Sequence, residues 1–243
     1  MKKYAQEFIL AIILIGFSLS MYELHYLLFH DLHHILLYFI GDIAFLGVQA
    51  LIAYFAFDRL LSYRENMATM KKLNMLAGIF FYDIGIKIFN LLSSQLTECQ
   101  DCATHVCVQE NWTNKDFQRN TQKIPHLAIS LRYEPKAMQT LAKELSSAKD
   151  MIIRLMENSS LHEHESFSDM LLALFHLTEE LLRRDSLETN TAEDKKHLAN
   201  DMKRVYIHMS QLWLEYMQHL KDNYYYLYLY NIRNRQLNIG TVK

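Results

Sequence analysis

The sequence predicts an all-α protein: an N-terminal two-helix transmembrane hairpin followed by a cytoplasmic helical-bundle domain. Three observations carry this expectation. Two long apolar runs fall within the first 57 residues. Only six glycines and two prolines punctuate the 243 residues, and from 136 to 235 neither occurs, so the tight turns a sheet needs are missing. The apolar positions of the C-terminal half recur at intervals of three and four.

The hairpin occupies residues 1–57, with helices over 8–29 and 35–57. Each run approaches the ~20 residues that a helix needs to cross ~30 Å of hydrocarbon. Lys2 and Lys3 precede the first run, Arg59, Arg64, Lys71 and Lys72 follow the second, and the connection 30–34 has neither Lys nor Arg. Positive flanks stay inside, which puts both ends of the hairpin and the following domain in the cytoplasm. Lys2-Lys3 and Ser18-Leu19-Ser20 also imitate a signal peptide, against which Glu7 and the long apolar continuation stand.

Residues 58–93 read as juxtamembrane and amphipathic or buried helices. The stretch 73–92 is apolar nearly all round, with a narrow stripe of Asp83, Lys87 and Asn90, in which Asp83 and Lys87 stand four apart, a spacing that allows a pair. Two charges in mid-span make a third crossing costly, at about 2.5–3.5 kcal/mol each. Residues 94–133 lack helical periodicity and are expected as a loop. The bundle domain, 134–243, divides into helices from Pro135 to about Glu157, Leu161 to Arg184, and Thr191 to Asp222 or beyond. Thr191 and Asp194 form a capping pair.

Five groups of side chains are candidates for function, and a sixth reads as a solvated face. Asp42 and Gln49, seven apart, share one face within the second span, where Gly41, Ala44, Gly47, Ala50 and Ala53 permit close helix approach. Cys99, Cys102, His105 and Cys107 offer soft ligands for zinc, although structural sites usually draw on two separated pairs. On the last long helix, His197, Asp201 and His208 lie on a stripe flanking the core and form an alternative metal set. The stripe of His162, Glu165, Asp169, His176 and Glu180 lies opposite its helix's apolar face and reads as solvated. Tyr224, Tyr225, Tyr228 and Arg233 suit an interface with lipid or protein. The histidines around the hairpin turn, His25, His30, His33 and His34, suit metal or pH sensing.

A net charge of −2 and an isoelectric point near 6.6 supply no field for nucleic acid. No nucleophile–base pair or glycine-rich phosphate cradle is visible, so no catalytic residue is assigned and the reading leans away from an enzyme. The leading expectation is a membrane-anchored module for assembly, regulation or partner binding. Its partners would be the bilayer and a second copy or another membrane protein, with no cofactor beyond zinc. The alternative is a homo-oligomeric channel or transporter component using Asp42 and Gln49. A metal-binding bundle enzyme ranks third.

Overall fold

The computed structural model describes residues 2–98, 102–158, 161, 164–184 and 186–234. Cys99 and His162, both named above, lie outside that set. The chain divides into two compact units, 1–66 and 67–243.

The first unit is built from α1 (Lys2–Phe29) and the N-terminal part of α2 (Leu32–Phe80). The turn between them has local causes. His30 takes a left-handed conformation (φ 52°) and donates its N–H to the Tyr26 carbonyl at 2.8 Å, which ends α1. The Asp31 carboxylate then accepts the N–H groups of His33 (2.9 Å) and His34 (3.2 Å) and caps the start of α2. Phe8–Phe29 and Leu32–Ser93 are helical stretches long and apolar enough to cross a membrane. Nearly all their large side chains in the first unit, among them Ile15, Leu28, Leu46 and Phe55, face outward.

The second unit contains the described core. α2 ends in a π-helical turn (Phe81–Gly85) that leads straight into α3 (Ile86–Ser93). The turn resets the helical register, so Leu73, Ala77 and Phe80 before it and Ile84, Ile88, Phe89 and Leu92 after it all reach the core. Asp83 and Lys87 do not pair. Lys87 instead meets Glu144, at 3.6 Å.

The region 94–133, expected as a loop, holds β1 (Leu96–Glu98), α4 (Cys102–Val106), α5 (Asn114–Lys123), a 3-10 turn (Ile124–His126) and β2 (Ser130–Leu131). β1 and β2 pair antiparallel across an irregularity. α5 is too short to show a period but has a full capping box, in which Thr113 and Asp116 satisfy each other's backbone N–H.

α6 (Pro135–Met156), α7 (Glu165–Leu182), α8 (Ala192–Asn223) and α9 (Tyr225–Arg233) complete the unit. Pro135 opens α6 at its first helical position, and Thr191 with Asp194 forms the capping box of α8. α7 packs on α6 and α8, and α3 packs on the same two helices. The result is a four-helix core around Phe89, Phe167, Leu174, Tyr206 and Met209, all fully buried.

Candidate functional site

The α7–α8 seam brings together four ionisable side chains. His176 and Glu180 are one turn apart on α7, and His197 and Asp201 are one turn apart on α8. The donor atoms of His176, Glu180 and His197 lie within 4.8 Å of one another. Asp201 Oδ2 is 3.6 Å from His176 Nε2 and 3.2 Å from His197 Nε2. The two imidazole rings stand edge to face at 87°, with centroids 6.2 Å apart. Asp201 is buried, at 3% exposure, whereas both imidazoles reach the surface. Arg184 donates to Glu180 (2.7 Å) and to Asp194 (3.2 Å). That hydrogen bond holds the Glu180 carboxyl below the usual range, against an opposing effect of burial.

This arrangement corrects two sequence expectations. The alternative metal set of His197, Asp201 and His208 is split, because His208 stands two turns beyond Asp201, about 10 Å along the helix. It borders a separate shallow cleft with Asn200, Arg204 and Ile207. The α7 stripe is not simply solvated. Ala173 and Leu177 are buried as well as the expected apolar face, so the covered arc of α7 reaches round toward α8. His176 and Glu180 stand on the border of that arc.

A second feature is a pair of grooves on either side of residues 67–82. One, of about 730 Å³, is lined by Met67, Met70, Phe167, Leu212 and Glu215 among others. The other, of about 710 Å³, is lined by Met75, Ile79, Tyr82, Leu220 and Leu227 among others. They share Lys71, Asn74, Tyr216, His219 and Tyr224. Burial raises the Tyr216 pKa and lowers that of His219, the latter against the field of Asp222, so both side chains are biased toward neutrality. Met75, Ile79 and Tyr82 form an exposed apolar stripe, and Tyr82 is 92% exposed.

The other sequence candidates fall as follows. Asp42 and Gln49 are exposed on α2 in the isolated chain. His25 Nε2 and His34 Nδ1 meet across the hairpin turn at 3.3 Å. Cys102 is buried and disulfide-bonded, so its sulfur offers no thiolate to a metal, whereas Cys107 keeps its thiol. His105 Nδ1 is engaged with the buried Asn120 at 2.7 Å. Of the interface candidates, Tyr224, Tyr225 and Arg233 are exposed. Tyr228 belongs to the core: it is fully buried, donates to the Gln109 carbonyl at 2.7 Å and lies beneath Lys221. Nothing in the sequence pointed to the grooves, which form where residues of α2 meet those of α8 and the start of α9.

Two family descriptions match consecutive parts of the chain. "MJ1433, N-terminal helical domain" covers residues 2–61, and "Uncharacterized protein MJ1433, C-terminal helical domain" covers residues 69–233. The chain is 36% identical over 221 residues to the uncharacterized protein MJ1433 of Methanocaldococcus jannaschii, an alignment spanning 90% of this chain and 88% of that one. No solved structure matches.

Proposed function

The chain belongs to the MJ1433 family, and from that premise we propose that it is a membrane-anchored helical module that assembles with a second copy of itself. In this reading α1 and residues 35–57 of α2 cross the bilayer, and the unit 67–243 lies in the cytoplasm. The observation that carries the proposal is the outward exposure of nearly all the large apolar side chains from Phe8 to Phe57, which no described residue buries. Burying one such side chain is worth about 1.5–3 kcal/mol, so hydrocarbon rather than water is the surrounding they suit. The positive residues Arg59, Arg64, Lys71 and Lys72 support the orientation. The relative aligns across both units, which supports anchor and bundle acting as one device.

Assembly with a second copy rests on the exposed Met75–Ile79–Tyr82 stripe and its surroundings. The adjoining grooves carry Lys71 and Lys72 together with Glu215 and Asp222, so two copies related by a twofold axis offer each other opposite charges. Within the span, a side chain added at Gly41 or Gly47 would meet nothing within 4 Å, which leaves that small-residue face open for a neighbour. The Cys102 disulfide favours a second orientation, with the bundle on an oxidising side.

Cysteine crosslinking in native membranes tests the assembly. Ile79→Cys treated with a short bis-maleimide is expected to give a dimer band that the unaltered chain and Asp150→Cys, exposed on α6, do not give. Equal yields at positions 79 and 150, or no dimer at either, would refute it. Labelling of Ile79→Cys by a membrane-impermeant maleimide in intact cells decides the orientation, with protection expected.

A further inference from the structure

We propose that His176 and Glu180 of α7, with His197 and Asp201 of α8, bind one divalent transition metal of the zinc class. The proposal concerns the bundle alone and stands apart from the membrane reading.

The donor set selects the ion. Two imidazoles with carboxylates match a borderline cation such as Zn²⁺, whereas Mg²⁺ and Ca²⁺ favour all-oxygen shells. The helices supply the spacing. His-x-x-x-Glu and His-x-x-x-Asp each put two ligands on one face, and residue 176 meets 201 across the seam. The distances agree as well. With bonds of ~2.1 Å, tetrahedral ligand atoms stand about 3.4 Å apart, and the two Nε2–Oδ2 separations, 3.2 and 3.6 Å, bracket that value. The donors of His176, Glu180 and His197 spread up to 4.8 Å, so the exposed imidazoles and Glu180 draw in to complete the shell.

The buried carboxylate gives independent support. Asp201 Oδ2 is shielded from solvent and accepts no hydrogen bond among the described residues, although both imidazoles come close. A buried carboxylate oxygen without a donor is costly. A cation held between that oxygen and the two Nε2 atoms removes the cost. Arg184 fixes Glu180 from outside through a 2.7 Å hydrogen bond, the outer-shell orientation that ligating carboxylates commonly have. A metal here would pin α7 to α8 and stabilise the bundle by mass action.

Full-length protein in mild detergent, stripped with a chelator, would be titrated with ZnCl₂ and with CoCl₂. The expected result is saturation at one equivalent per chain, a raised melting temperature, and the visible bands of a tetrahedral Co²⁺ site without thiolate charge transfer. His197→Ala and Asp201→Asn should each weaken binding by about tenfold or more. The His197 side chain is half exposed, so its removal leaves the fold intact even if the Asp201 variant does not fold. The assignment is overturned by an absence of saturable binding, by unchanged affinity in His197→Ala, or by a thiolate band that moves the ion to Cys107.

Discussion

His208 is half-buried on α8, with Asp169 of α7 nearby and Arg204 one turn back on its own helix. Burial lowers its pKa below the ordinary 6.5; Arg204 acts in the same direction and Asp169 opposes both. Between the lowered value and 6.5 the unfolded chain binds more protons than the folded one. The contribution of a neutral His208 is therefore complete above pH 6.5 and is lost as pH falls through the lowered value. His219 shifts in the same direction for the same leading reason. Melting temperatures of the full chain in detergent should fall as pH drops below about 6.5. His208→Gln should flatten part of that fall. An identical slope in the variant would show that His208 does not take up the proton.

Among the elements, the π-helical turn has the tightest steric demand. A Cβ added at Gly85 would come within 2.8 Å of the Phe80 ring and 2.9 Å of the Phe81 ring. Both rings are buried and cannot swing aside, since Phe80 also meets Phe167 and Phe81 meets Trp213. Gly85→Ala is expected to lower unfolding stability by about 1–3 kcal/mol, read from denaturant midpoints. A neutral result would show that the turn relaxes to regular α-helix. That turn was not legible in the sequence, because one extra residue in a helix that is apolar all round leaves no break in its pattern. The helices α6, α7 and α8 were legible, since Leu141, Leu145, Ala148 and Ile152, then Phe167, Leu171, Leu174 and Thr178, and then Leu198, Met202, Val205 and Met209 repeat every three or four positions, with Pro135 opening α6 and a capping box opening α8. The site was legible in part. Asp201 and His197 could be paired from their spacing, but only the packing of α7 against α8 brings His176 and Glu180 to them. Tyr228 shows the reverse: a tyrosine run resembling one interface contains a side chain that binds the chain's own loop.

At the scale of the whole molecule, the chain combines a unit that buries its apolar residues with one that exposes them. From Leu73 onward, core positions are shielded almost completely, while Phe8–Phe57 form long helices with their large side chains outward. Asp42 is the main charge against burial in lipid within the second run, at about 2.5–3.5 kcal/mol near a helix centre. The surrounding Ile, Leu, Phe and Val each favour insertion by about 0.3–0.6 kcal/mol and together exceed that cost. Sedimentation of cell membranes after alkaline carbonate washing tests this most directly. The full-length chain is predicted to remain in the pellet and to enter the supernatant only with detergent. Recovery of folded chain in the carbonate supernatant would contradict a membrane anchor.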